Sequence, residues 1–310
     1  MCLLARVKQW NVALERAFTP QDVVSLGYLG SDGRYLLRRE VGGPGSGPTS
    51  YVALTTNHGF SDYHALQVQY RRRLARGLQS AVAYSWSHSI DNDSSDSFLL
   101  WAAEGVSDTG SSDFDLRHSL NGTVSYEFSR KPAVAGPSRV LAGWAMDGIL
   151  RARTGFPMSI LNAEEYMGIS FVNAFRPDLN FGRPLWLSDS NSAGGRRLNP
   201  GAFAATPQGK QGTLGRNPIV GFGMSQVDLA LRREFRLSER WRLQFRLEGF
   251  NILNHPNFAD PVRFLNSPVL GESISMLNMM LGTGSPASGL SPALQTGSPR
   301  SLQLSLRLHF

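Results

Sequence analysis

The chain has 310 residues, of which 41% are hydrophobic and 18% are charged, with a net charge of +7 and a pI of about 9.9. No run of about 18 apolar residues occurs, which excludes a transmembrane helix, and the single cysteine, Cys2, excludes an internal disulfide and a multi-cysteine metal site. The basic residues cluster at predicted strand ends beside short turns rather than on one face among aromatic residues, so we expect no nucleic-acid partner.

The start of the chain differs from that of an exported protein. A signal peptide needs an apolar stretch of about 7–15 residues and a cleavage site, and the segment 1–6 is too short to hold them. The rest of the sequence favours export, so we expect the true beginning of the protein to lie upstream of Met1.

Nine segments alternate polar and apolar side chains with the period of two that is typical of strands. The 32 glycines and 17 prolines are also typical of strands separated by loops. Each segment has about 9–11 residues, which is the length that a tilted strand needs to cross a bilayer. The predicted strands are 8–16, 22–30, 63–73, 79–88, 117–128, 143–154, 224–235, 241–250 and 301–310.

Alternation alone fits two classes of protein. In 241–248 four apolar side chains alternate with four polar ones, which suits lipid on one face and a hydrated lumen on the other. A soluble β-sandwich also alternates, because its apolar face packs on a second sheet.

The lengths of the connections separate the two classes. Long connections, predicted to be external, alternate with shorter ones, predicted to be periplasmic; this asymmetry is typical of outer-membrane barrels and is not required in a sandwich. We therefore predict an all-β fold, an antiparallel transmembrane β-barrel of which this chain supplies about nine strands of a larger barrel. The long connections are 31–62, 89–116, 155–223 and 251–300, and the shorter ones are 17–21, 74–78, 129–142 and 236–240.

Aromatic residues are expected to form two girdles at the membrane interfaces. Tyr63 and Trp86 fall near predicted external strand ends. The aromatic residues at predicted periplasmic ends are Tyr70, Phe128, Trp144, Phe235, Trp241 and Phe310.

The last strand alternates up to an aromatic C-terminal residue. Outer-membrane barrels end in such a strand, whereas nothing in the packing of a β-sandwich requires one. We predict that this strand is the signal that the barrel-assembly machinery recognises. The apolar residues of this C-terminal signal are Leu302, Leu304, Leu306, Leu308 and Phe310.

The predicted loops contain no specific chemical motif. The acidic stretch 91–96 lacks the glycine and glutamate of an EF-hand, the six histidines lack zinc spacing, and 212–217 lacks the lysine of a phosphate loop. Ser, His and Asp occur together in 85–96 and 111–118, but such residues are common in these loops. We expect no catalysis, no metal and no cofactor.

The segment 245–258, Phe-Arg-Leu-Glu-Gly-Phe-Asn-Ile-Leu-Asn-His-Pro-Asn-Phe, resembles the penultimate-strand signature of TonB-dependent transporters with Oar-like β-barrels. We call it the signature segment. Its characteristic residues are Glu248, Phe250, Asn251, Asn254, His255, Pro256 and Phe258. Similar stretches at 9–11, 28–33, 112–118, 143–144, 154–157 and 198–203 extend the resemblance over nearly the whole chain.

The resemblance implies more than this chain contains. A full member of that family has a signal peptide, a plug with a TonB box and a closed barrel of about 22 strands. We expect 1–310 to be the C-terminal section of such a barrel, with no plug, TonB box or signal peptide present and with two sheet edges that need further strands.

The function implied is that of an outer-membrane receptor and transporter. Its partners would be outer-membrane lipid, the barrel-assembly machinery, an unidentified ligand and, through a plug missing from this chain, TonB. Three alternatives remain: a passive pore or adhesive barrel, an inactive gene fragment, and a soluble β-sandwich binding module.

Overall fold

The computed structural model describes residues 4–42, 52–94, 100–101, 108–128, 142–162, 175–207, 210–280 and 296–310. Nine long strands form one antiparallel sheet in which each strand pairs with its neighbours in sequence. The all-β class and the nine predicted strands are confirmed. The strands are β1 (Arg6–Ala17), β2 (Asp22–Gly42), β3 (Val52–Ala75), β4 (Leu78–Asp91), β5 (His118–Glu127), β6 (Trp144–Arg153), β7 (Met224–Arg236), β8 (Arg242–Phe250) and β9 (Ser301–His309).

The sheet is open where the structure describes it. Its order runs from β1 to β9, and these two outer strands do not pair with each other in the described part of the chain. An unpaired strand edge leaves backbone N–H and C=O groups without partners, which is costly in lipid. The open sheet is therefore consistent with one section of a larger barrel.

The remaining elements are short and lie in the connections. No described helix is long and apolar enough to span a membrane. The short strands are Leu100–Trp101, Gly110–Ser111, Pro157–Met158, Asp178–Leu179, Trp186–Ser188, Arg196–Leu198, Phe203–Ala204 and Ile219–Val220. Within the described ranges, the helices are two 3-10 turns, Ala193–Gly195 and Pro200–Ala202, and one short α-helix, Leu277–Met280.

The prediction of a loop over 31–62 is wrong, because strands occupy most of this range. The strands β2 and β3 continue through most of it as a long hairpin, with pairs as distant from the turn as Arg34 with Phe60. Register shifts near Leu36 and a positive φ of 57° at Tyr35 interrupt the pairing. These irregularities break the two-residue period, which is why the sequence pattern did not predict the hairpin.

The sheet has an apolar face and a polar face. Leu304 of β9 lies opposite Leu247 of β8, which in turn lies opposite Leu231 of β7. Leu304 is 62% exposed, so the row of leucines is not covered by a second sheet. Exposed leucines in register across several strands suit contact with lipid chains.

The two ends of the sheet differ. The short connections lie at one end, called here the turn end, and the long connections lie at the other, called the loop end. At the turn end, Arg76 and Gly77 join β3 to β4 with positive φ values of 52° and 82°, as in the tight hairpin turns that match strand twist.

Aromatic side chains border the apolar face at the turn end. Trp144 packs edge-on against Phe245 with ring centroids 5.7 Å apart, and Trp241 lies 5.5 Å from Phe310. Their position matches the girdle predicted for this end.

At the loop end, one of the two aromatic residues predicted for the girdle lies on the apolar face and the other does not. Trp86 lies on the apolar face, but Tyr63 lies opposite Ser31 and Ser89 on the polar face, so the girdle position predicted for Tyr63 is wrong. Successive strand residues point to opposite faces, and the adjacent His64 takes the apolar side. There Nδ1 of His64 and the hydroxyl of Tyr28 share a hydrogen bond of 2.8 Å.

The described parts of the connections 155–223 and 251–280 form a compact unit at the loop end, which we call the cap. It has its own hydrophobic core, whose residues come only from these two connections. The core residues are Met158, Ile160, Leu198, Ala202, Phe203, Leu214, Ile219 and Leu270. Among the described residues, the hydrophobic core cluster therefore lies in the connections rather than between the long strands.

Candidate functional site

Polar side chains of β6 and β7 form an ordered network on the polar face. Asp228 of β7 accepts a hydrogen bond of 2.7 Å from Arg151 and one of 2.8 Å from Gln226. The backbone N–H of Asn251 donates a third, at 2.9 Å. Asp228 is buried, and these three donors compensate the cost of burying its charge.

A second carboxylate organises the strands toward the turn end. Asp147 of β6 accepts hydrogen bonds from Ser125 at 2.7 Å and from Arg232 at 3.0 Å, and it lies 3.6 Å from Arg246. Arg246 also pairs with Glu248 at 2.8 Å. These contacts link four adjacent strands, from β5 to β8, across the polar face.

A cavity of about 140 Å³ lies among the strands of this network and Thr296, which precedes β9. Its charged residues are arginines and carboxylates that are already paired, so it offers hydrogen-bonding groups of both signs to a small polar solute. The lining residues are Asp147, Ile149, Arg151, Gln226, Asp228, Leu229, Ala230, Arg246, Glu248, Gly249, Phe250 and Thr296.

The signature segment builds the turn that carries the chain from β8 into the cap. Asn251 has a positive φ of 47° and is almost fully buried. Its amide nitrogen donates to the carbonyl oxygens of His255 at 2.8 Å and Ser298 at 2.9 Å, and its Oδ1 accepts from the N–H of His255 at 3.1 Å. Asn251 thus joins the exit of β8 to the entry of β9.

The other signature residues have distinct positions. Glu248 and Phe250 line the cavity, and Asn254 takes a second positive φ, of 53°, on the exposed side of the turn next to the exposed His255 and Pro256. Phe258 packs edge-on against Phe222 of the cap at 5.6 Å.

Asn257, which the sequence did not single out, is fully buried within the same segment. Its Oδ1 accepts a hydrogen bond of 2.9 Å from the N–H of Ser225, at the start of β7. The sequence offered one signal for Asn257, which is that it lies between Pro256 and Phe258, two characteristic residues of the signature segment. The segment therefore has a structural role at the junction of wall and cap.

A buried ion pair connects the cap to the end of β4 at the loop end. Arg216 of the cap bonds the carboxylate of Asp91 and, at 2.9 Å, its carbonyl oxygen. It also bonds Ser94 at 2.5 Å and lies 3.6 Å from Asp113. The sequence did not predict Arg216 as important, and the carboxylate of Asp91 is committed to this pair rather than free for a cation.

Next to this pair, the stretch 112–118 is fixed to the end of β4. The carboxylate of Asp115 accepts from the N–H of Ser89 at 2.8 Å and lies 2.9 Å from Nδ1 of His88. The hydroxyl of Ser112 bonds that of Ser89 at 2.7 Å. These Ser, His and Asp residues hold a loop against a strand.

The carboxyl group of Asp260, which lies in the cap, has a raised pKa. It packs so closely on Gly221 that no side chain would fit there. Burial raises the pKa of Asp260 to about 6, against the attraction of Arg153 and Arg263, which act in the opposite direction. The guanidinium of Arg153 stacks 4.1 Å from the ring centroid of Phe156.

Comparisons with known proteins agree with this architecture. A family model described as "Outer membrane beta barrel domain" matches residues 4–280. The outer membrane transporter YddB from Escherichia coli has a similar structure, with a TM-score of 0.55 and 9% identity, over 99% of this chain and 33% of that chain. FpvA of P. aeruginosa gives a TM-score of 0.48 and 12% identity, over 98% of this chain and 27% of that one.

No curated protein matches this sequence significantly. The chain spans about a third of the length of YddB, and at 9% identity the likeness concerns the fold alone.

Proposed function

We propose that this chain, which belongs to the outer membrane beta barrel domain family and lies in the bacterial outer membrane, is the C-terminal section of a TonB-dependent, Oar-like receptor and transporter. In this proposal 1–310 forms part of the membrane-spanning wall, the loop end faces outside and the turn end faces the periplasm. A plug elsewhere in the intact protein would make the contact with TonB.

The observation that carries the proposal is the cap joined to the wall at the loop end. A passive wall needs only connected strands, whereas here two long connections share a buried core and are tied to the wall through Asn251 and Asp228. A rigid scaffold that positions loops is the usual arrangement for binding. The polar cavity in the wall, next to the junction at Asn251, favours a small polar ligand.

The proposal includes three further partners. Lipid covers the apolar face, the barrel-assembly machinery recognises β9, and an unidentified ligand contacts the cap. The family comprises outer-membrane barrels, and we propose that this member has no catalytic role and no cofactor.

An immunoblot tests the proposal. An antibody against 186–198 of the cap should detect a species in the outer-membrane fraction with about three times the 34.0 kDa of this chain, because the chain spans about a third of the transporter structure it resembles. The antibody should also bind intact cells, since the cap would face outside. A band near 34.0 kDa would favour the inactive fragment, and a species in the cytosol would contradict the proposal.

A transport assay separates the receptor from a passive pore. Uptake of a panel of small polar solutes is compared between cells that contain or lack the gene, each with and without TonB. Gene-dependent uptake that requires TonB supports the proposal, and gene-dependent uptake that persists without TonB favours the passive pore.

A further inference from the structure

Three arginines lie on the apolar face at the turn end, Arg16, Arg72 and Arg233, and the surroundings of the last two differ. Arg72 of β3 lies opposite Asp22 and pairs with it at 2.9 Å. The side chain of Arg233 of β7 forms no salt bridge and no hydrogen bond with any residue that the structure describes. Its neighbour Arg232, on the polar face, bonds Asp147 and Glu127. Arg233 is therefore a cation on a lipid-facing surface whose charge nothing in the described chain compensates.

Aromatic rings surround this guanidinium. The sheet register places Arg233 opposite Trp144 of β6 and Phe245 of β8. Its guanidinium carbon lies 5.4 Å from the ring centroid of Trp144 and 4.9 Å from that of Phe235. Cation–π contacts stabilise a charge in such a place but do not neutralise it.

There is also space for a ligand. Arg233 and Trp144 line a groove of about 400 Å³ across the strand ends, together with Tyr126 and Arg76. The groove also contains the carboxylates of Glu127 and Glu234, which lie 3.3 Å from Arg232 and 3.9 Å from Arg242, so Arg76 and Arg233 are the charges of the groove that have no ion-pair partner among the described residues.

We propose that Arg233 and Trp144 bind the phosphate of a glycerophospholipid at the turn end of the barrel wall. Long basic side chains at a membrane interface extend their charge toward the headgroups, and a guanidinium matches the geometry of a phosphate oxygen pair. The aromatic rings contact the glycerol and the first methylene groups of the chains. The assignment to the periplasmic leaflet rests on the orientation given under the proposed function.

Native mass spectrometry of the protein purified from the outer membrane in detergent tests the site, with phosphatidylglycerol as the probe. The variant Arg233→Leu removes the charge while keeping the apolar face, so folding should be retained. Arg236→Leu is the matched control: it removes the same charge from the same strand end, but on the polar face, where Arg236 lies opposite Arg242.

The wild type and Arg236→Leu should retain phosphatidylglycerol equally, and Arg233→Leu should bind it about fivefold more weakly. The three proteins should bind diacylglycerol, which lacks the phosphate, equally well. Should Arg233→Leu fail to fold, Arg233→Lys replaces it, and weaker retention by the lysine variant is then the expected result.

Three outcomes would overturn the site. Equal losses in both leucine variants would mean general attraction by charge, and no loss in either would mean that Arg233 does not contact lipid. Complete displacement of the lipid by millimolar inorganic phosphate would mean an anion site without lipid specificity. Absence of the protein from the outer membrane would instead refute the proposed function.

Discussion

The backbone N–H of Asn251 donates a 2.9 Å hydrogen bond to Oδ1 of Asp228, which fixes the turn after β8 to the polar face of β7. Through this bond the first residue of the connection 251–300 and the charge network of the wall form one unit. Changes at the junction should consequently affect both the wall and the cap.

Replacing Asn251 with alanine should lower the free energy of unfolding by about 2–4 kcal/mol, because three side-chain hydrogen bonds are lost at a buried site and alanine is strained at positive φ. Denaturant titration in lipid vesicles measures the change. Asn254→Ala is the matched control, since Asn254 also has a positive φ but is exposed; it should cost only about 1 kcal/mol. Equal costs would contradict a role for the Asn251 side chain.

Replacing Arg216 with alanine should loosen the contact between the cap and the end of β4. The carboxylate of Asp91 would remain buried without its partner, which costs about 3–5 kcal/mol locally. Hydrogen exchange of 89–94 and 214–217 should then accelerate by at least tenfold. The exposed Arg183→Ala is the control and should leave exchange unchanged. Unchanged protection in Arg216→Ala would show that the ion pair does not hold the cap to the end of β4.

The cap should become less stable as the pH rises through about 6. Burial raises the pKa of Asp260 from 3.8 to about 6, so the folded cap binds this proton more tightly than the unfolded chain does. Its contribution is present in full below pH 3.8 and is lost as the pH increases through 6. Protease resistance of the cap, compared at pH 5 and pH 7.5, measures the effect.

The variant Asp260→Asn should remove this pH dependence. At pH 7.5 it should stabilise the cap by an amount on the order of 3 kcal/mol, which corresponds to the difference in pKa. Asp189→Asn is a suitable control in the same unit, because local hydrogen bonds lower the pKa of Asp189. A pH profile that is identical in wild type and Asp260→Asn would refute the prediction.

Deleting Phe310 in the intact protein should reduce insertion into the outer membrane several-fold while changing the stability of inserted molecules little. Phe310 is 91% exposed and contacts Trp241, so it contributes little packing. Its effect should therefore be on recognition by the assembly machinery. His309→Ala, on the polar face of the same strand, is the control. Normal insertion without Phe310 would count against the C-terminal signal, whose other residues are Leu302, Leu304, Leu306 and Leu308.

The strands were predictable because one physical rule governs them. A strand between lipid and water must alternate, and the predicted 224–235 and 301–310 agree with β7 and β9 to within one residue. Where bulges interrupt the alternation, as near Tyr35, the rule fails and the hairpin was missed.

The cap was not predictable for a different reason. Its core residues, such as Ile160, Leu198 and Leu270, lie far apart in irregular segments with no period. Arg216 contacts Asp91 across 125 positions of sequence, and a single sequence does not reveal such pairs. The signature segment was found through its family pattern, but its structural role became visible only with the hydrogen bonds of Asn251.

The separate core of the cap has a consequence for how this protein can change. Its eight core side chains come from the cap alone, while the wall is held by ladder hydrogen bonds and by lipid. Substitutions in the cap core therefore leave the pairing of the wall strands unchanged, provided that the junction at Asn251 is kept. Under the proposed function, the ligand specificity of the cap can change in evolution while the membrane-spanning wall keeps its sequence.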